Sequence, residues 1–215
     1  MKEFRINFNK EYKLWAACDP EGDGTAITEY VYFRNGCAYA TNSSILVRVP
    51  LEKCTTFDAV DMNKMDGFRI HAKALRYLSE FSIVKVTTDF VLFDGTGRLY
   101  NDNGKPEPIL EFHAFRGLTE MIFRCRMPDR VPAFDDILKV DEDREPIRSL
   151  GLRTKYIGSL CSAMGIQRIK MRFTQANQKV FIEELSEDEV EGPKPIGVIM
   201  PIKIDPVIPG MEDME

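Results

Sequence analysis

The sequence predicts an α+β chain in which short helices lie on one face of antiparallel sheets, because one order of events is written three times. In the last of the three, Gly151 to Arg153 reads as a short extended piece, and Ile157, Leu160, Cys161 and Met164 then fall at the i, i+3, i+4, i+7 spacing of a helix. After Gly165 the pattern alternates, with Ile169, Met171 and Phe173 on one side and Arg168, Lys170 and Arg172 on the other, as in a half-buried strand. Val180 to Ile182 returns as a second strand. The stretch from Gly67 to Phe93 has the same order: Gly67-Phe68-Arg69 opens it, Leu75, Leu78 and Phe81 make the helical stripe, Val84 and Val86 alternate with Lys85, and Val91 to Phe93 closes the hairpin. The first fifty residues supply the third copy. Phe4 to Phe8 alternates as a strand, Asn9 is placed to cap a helix carrying Tyr12, Leu14, Trp15 and Cys18, and the runs Tyr30 to Arg34 and Cys37 to Val49 flank the hairpin turn Asn35-Gly36. Element order is kept while identity is not, which is the mark of a repeated supersecondary unit.

Between the units lie connectors. Asp94 to Pro108 is rich in Gly, Asn, Asp and Pro and reads as a long turn before a strand from Ile109 to Phe112, and Met121 to Arg126 alternates as another strand. Met127 to Pro146 carries three prolines and a dense acidic group, so it is expected to connect domains, with one or two helical turns between Ala133 and Val140. The expected division is a domain over 1–126, a linker over 127–146, a smaller domain over 147–204 and a flexible acidic tail over 205–215. Ile196 to Ile204 is an apolar strand in which Pro201 marks an edge or an end.

Composition narrows the function. The chain has 215 residues, 44% of them hydrophobic and 29% charged, as in ordinary globular proteins, and no run approaches the ~18 apolar residues of a membrane span. Met1 to Arg5 shows no apolar leader, and five cysteines without a C-x-x-C pair read as reduced thiols, so a cytoplasmic location is expected. A net charge of −5 argues against a surface that coats nucleic acid everywhere, yet it permits a local basic face. With only two histidines, His71 and His113, a catalytic zinc or a histidine-based nucleophile is not expected, and no cofactor is.

Asp19, Glu21 and Asp23 with Gly24 have the opening spacing of a calcium loop, but Tyr30 stands where a bidentate glutamate is needed, so an acidic turn is the favoured reading. Gly95-Thr96-Gly97 lacks the third glycine of a dinucleotide fingerprint and reads as a turn. The cations are more informative. Lys10 and Lys13 fall on the first expected helix, Lys73 and Arg76 on the second, and Arg153 and Lys155 at the start of the third. If the helices share one surface, that surface holds phosphates without reading bases; the plainer alternative is the solvated side of any amphipathic helix.

Two stretches resemble a known family. Ala40-Thr41-Asn42-Ser43-Ser44-Ile45-Leu46-Val47 looks like a degenerate form of the A-T-D-G-H-R-L-A stretch of bacterial sliding clamps, the β subunit of DNA polymerase III. Val198-Ile199-Met200-Pro201-Ile202-Lys203 is similar to the M-P-M-R with which those clamps end, and Met127 to Pro132 with Phe134 to Leu138 is similar to the family's linker. Asn42 and Ser43 stand where the family has Asp-Gly, and Ser44-Ile45 where it has His-Arg. The resemblance implies a DNA-clamp-like fold, helices on a DNA-facing lumen and sheets outside, in a reduced, phage-like or mobile-element relative.

It also implies an apolar pocket for peptide motifs of polymerases and repair proteins, to which Thr41, Ser43, Ser44, Leu46, Ile199, Met200, Pro201 and Ile202 would contribute. The expectation is therefore a non-enzymatic platform with double-stranded DNA, peptide motifs and further copies of itself as partners, and no membrane. Its rivals are an adaptor on the same scaffold without DNA contact and a metal-assisted enzyme using Asp19, Glu21 and Asp23 or the connector acids Asp135, Asp136, Asp141, Glu142 and Asp143.

Overall fold

The computed structural model describes residues 4–5, 8–21, 27–55, 66–80, 90–100, 106–116, 119–126, 132–139, 150–173, 179–186 and 193–202. Each repeated stretch builds an extended opening, a helical piece and three antiparallel strands. The first consists of β1 (Phe4–Arg5), a 3-10 turn (Leu14–Ala17), β2 (Tyr30–Arg34), β3 (Cys37–Thr41) and β4 (Ile45–Pro50), followed by the single turn α1 (Leu51–Cys54). The second consists of β5 (Arg69–His71), α2 (Ala72–Glu80), β6 (Phe90–Tyr100), β7 (Pro106–Arg116) and β8 (Thr119–Arg126). After α3 (Phe134–Ile137), the third opens at Gly151 and continues through α4 (Thr154–Met164), β9 (Ile169–Phe173), β10 (Val180–Glu184) and β11 (Ile196–Ile199). Mixed helices and antiparallel sheets make this an α+β fold.

Asn35 and Gly36 take φ of 51° and 70°, the left-handed pair that a two-residue hairpin turn needs, and they join β2 to β3 as expected. The run from Cys37 to Val49 is broken into β3 and β4 by a turn at Asn42 to Ser44, so each hairpin gains a third strand. Units one and two then exchange their openings. β1 pairs with β6, and β5 pairs with β2, each opening strand adding to the first hairpin strand of the other unit. Unit three joins through its last strand, β11 to β4, which gives a seven-stranded sheet in the order β5-β2-β3-β4-β11-β10-β9 beside a four-stranded sheet β1-β6-β7-β8.

Strand alternation divides the seven-stranded sheet into two faces. Val31, Phe33, Ala38, Ala40, Val47 and Ile199 turn to the main core, where they meet Leu14 and Ala17 of the 3-10 turn, Leu75 and Leu78 of α2, and Leu160, Ala163 and Met164 of α4. All three helical pieces therefore pack on one face. Phe112 of β7 joins the same core beside Phe8, and Tyr77 of α2 lies against Phe123 of β8, which ties the second sheet to the first. The other face carries Tyr32, Tyr39, Leu46, Phe181 and Val198, covered by Phe134 and Leu138.

Two expectations need correction. The helix expected from Asn9 is only a 3-10 turn, because the Asn9 Oδ1 accepts the Glu11 N–H at 3.0 Å and the Lys13 N–H donates to Ser162 O of α4 at 2.9 Å. Local side-chain bonding and a tertiary partner take the groups a helix would have used. Asp94 to Pro108 is not one long turn: β6 and β7 run through most of it, with a register shift between Asp94 and Gly97 where the two glycines accommodate a bulge. The expected placements of Phe81 and of Val84 to Val86 lie outside the described residues.

Candidate functional site

The β3–β4 turn and the end of β11 come together. Leu46 pairs with Val198 and Ile45 with Ile199, and the Met200 N–H extends the ladder by donating to Ser44 O at 2.9 Å. The turn is pinned from within: Asn42 Oδ1 accepts from the Ser44 and Ile45 N–H groups at 3.1 and 3.0 Å, and Thr41 Oγ1 donates to Ile45 O at 2.6 Å. Pro201 follows the strand as an end marker, and Ile202 bridges back to Gly151. From α4, Tyr156 reaches the same turn. Its hydroxyl is held below the usual phenol range chiefly by a hydrogen bond from Ser44, with Arg153 adding to it.

These residues do not form one open pocket. Ile199 is fully buried in the main core, on the helical side of the sheet, and Thr41 is also buried. Leu46 and Val198 face the opposite way and are buried beneath Phe134 and Leu138. Met200 and Ile202 are exposed at 49% and 44%, and Ser43 is exposed beside them. Alternation places Met200 on the same outer face as Val198, so the apolar surface has a closed part under α3 and an open rim at Met200.

Sequence reasoning did not find the aromatic floor of the closed part. Phe134 stacks on Tyr39 with ring centroids 5.2 Å apart at 14°, and lies 5.3 Å from Tyr32. The Tyr39 hydroxyl donates to Asp135 Oδ1 at 2.7 Å, and burial, followed by that bond, pushes the phenol above its ordinary value. The available signal was the alternation of Tyr32 with the core residues Val31 and Phe33, and of Tyr39 with Ala38 and Ala40.

The six expected cations lie on the elements of the helical layer. Lys10 and Lys13 precede the 3-10 turn, Lys73 and Arg76 are on α2, Arg153 precedes α4 and Lys155 is in its first turn. All but Lys10 are exposed. Lys73 Nζ stands 3.4 Å from Glu21 Oε1, and Lys155 lies over the Tyr156 ring at 5.2 Å. An open groove of about 1000 Å³ beside this layer is lined by Lys10, Lys13 and Arg168 together with Glu11 and Glu184. The alternation of Arg168 with Ile169 predicts a strand residue and gives no sign of this groove. Gly165 closes α4 there at φ 66°, where an added Cβ would meet Glu11 O at 3.0 Å.

Among the described residues no group of three or more His, Cys, Asp or Glu is arranged to hold a metal ion, and Asp23 lies outside them. Among them, too, no helix is long and apolar enough to cross a membrane. No protein-family model matches the chain, and no curated protein does. Among solved structures, the chain is similar to the Helicobacter pylori beta clamp in complex with carprofen, at 11% identity over 94% of this chain and 67% of that one, with a TM-score of 0.49. That likeness is too low to assign a family.

Proposed function

We propose that the chain is a non-enzymatic, sliding-clamp-like platform that touches double-stranded DNA through its helical layer and recruits replication or repair proteins through the apolar surface at Leu46, Val198 and Met200. The observation that carries this reading is the single helical layer. Three repeated units put their helical pieces on one face of one sheet, and six cations sit on those pieces or just before them while the whole chain is acidic. Such a layer meets the phosphate backbone without reading sequence. The apolar surface on the opposite face suits a peptide anchor, with Met200 as an adaptable rim. Ile199 supports that surface from the core side, Thr41 pairs with Leu46 at its edge, and Ser43, Ser44, Pro201 and Ile202 stand at its open end.

A second reading, an adaptor without DNA contact, is favoured by the Lys73–Glu21 ion pair, which offsets part of the cationic layer. Sedimentation of the protein with nicked circular and linear duplex separates them. A platform co-sediments with both forms at low salt, and a closed assembly of copies is retained on the circle alone when salt is raised. An adaptor sediments with neither.

A further inference from the structure

We infer that residues 132–139 are a self-docking strap that fills the recruitment surface, so that a partner segment binds only by displacing it. The inference rests on the platform reading for the identity of the surface and adds how that surface is regulated and what chemistry fits it. α3 touches the sheet by side chains. Among the described residues, every backbone–backbone hydrogen bond made by 132–139 stays within the segment, as with Phe134 N–H to Pro132 O at 2.9 Å and Leu138 N–H to Phe134 O at 3.2 Å. Its release therefore breaks no strand pairing.

Two anchors hold it, Phe134 and Leu138, one helical turn apart and buried at 4% and 7% exposure against Tyr32, Tyr39, Leu46, Phe181 and Val198. The remaining ties are polar and near solvent. Tyr39 donates to Asp135, Arg48 Nη1 lies 3.7 Å from the same carboxylate, and Lys179 Nζ donates to the carbonyls of Ile137 and Lys139 at 3.2 and 2.7 Å. The Arg48–Asp135 pair, with its side chains 36% and 46% exposed, is of the kind that is weak and screened by salt. Lifting the strap bares an aromatic and aliphatic patch of the type that marks protein-binding sites. The strap itself states the occupant's chemistry: a short helical segment with an aromatic residue, an acid directly after it to meet Tyr39 and Arg48, an aliphatic residue one turn on, and a free C-terminal carbonyl end for Lys179.

The test uses the full chain and a labelled synthetic peptide of residues 131–141. The variants Phe134→Ala, which empties the anchor site, and Asp135→Lys, which cuts the ties to Tyr39 and Arg48 and keeps both anchors, should bind the peptide at least tenfold more tightly than the parent. A peptide carrying Phe134→Ala should not bind. Equal affinity for parent and variants overturns the strap, as does failure of a folded variant to take the peptide. If Phe134→Ala does not fold, Asp135→Lys carries the comparison. Hydrogen exchange on the parent gives an independent result: amides of 134–138 should exchange at least a hundredfold faster than those of β3 and β4, and equal protection overturns release. A chain that takes the peptide yet ignores DNA sinks the platform reading and leaves the strap. One that holds DNA and refuses the peptide does the reverse.

Discussion

Ser43 sits at φ 71°, a left-handed conformation that favours glycine. Thr41 Oγ1 accepts the Ser43 N–H and Asn42 Oδ1 accepts the Ser44 N–H, which holds the turn and keeps the Ser44 carbonyl on the Met200 N–H. Around that turn the side chains differ in what their loss would do. Met200→Ala removes an exposed side chain and should leave stability within about 0.5 kcal/mol of the parent while weakening peptide capture by ~1–3 kcal/mol. Leu46→Ala should cost ~2–5 kcal/mol of stability, because Leu46 is 4% exposed beneath α3. Urea melts and peptide titration of both variants check this.

The buried thiols give a pH dependence at the same scale. Burial pushes Cys18 and Cys54 up to about 12 from a reference of 9.0. Above pH 9 the unfolded chain releases these protons while the folded chain keeps them, so the folded state binds more protons and stability falls as pH rises from 9 towards 12. Each thiol contributes up to about 1.4 kcal/mol per pH unit within that window and nothing below it. Cys54→Ala should flatten the decline measured by urea melts between pH 8.5 and 10.5.

Among the elements, α4 shows best what the sequence disclosed and what it did not. Its stripe was legible because Leu160 and Met164 recur at helical spacing and pack on the sheet, and Gly165 ends it in the left-handed region. Gly158 lies exposed on its outer side with nothing within 4 Å of an added Cβ, so Gly158→Ala should stabilise by ~0.5–1 kcal/mol. Gly165→Ala should destabilise by at least ~1 kcal/mol, since φ is 66° and Glu11 O stands 3.0 Å from the new carbon. Thermal melts of the two variants should move in opposite directions. The 3-10 turn was not legible as such. Its apolar residues have helical spacing, but the Lys13 N–H is drawn to Ser162 by a tertiary contact that no local pattern announces. The exchange of β1 and β5 between units was hidden for the same reason. Likewise the meeting of the β3–β4 turn with the C-terminal residues from Ile199 to Ile202 was expected only from the resemblance, and the cover of Leu46 by α3 was not expected at all: Phe134 and Leu138 show the helical spacing but not which surface receives them.

At the scale of the whole molecule the account is a division of labour between the two faces of one sheet. Helical pieces of three units share a core on one side and carry cations outward, while the other side offers an aromatic surface under a detachable segment. With a net charge of −5, the proposed contact with DNA rests on the arrangement of charge on the helical layer and not on its sum. The most direct measurement is therefore duplex binding across a salt series for the parent and for the variant Lys13→Glu, Arg76→Glu, Lys155→Glu. The account predicts that the parent binds duplexes of unrelated sequence equally, with affinity falling steeply between roughly 50 and 200 mM salt, and that the variant loses binding while its melting temperature is unchanged. A parent that does not bind duplex at about 50 mM salt, or a variant that binds as well as the parent, contradicts it.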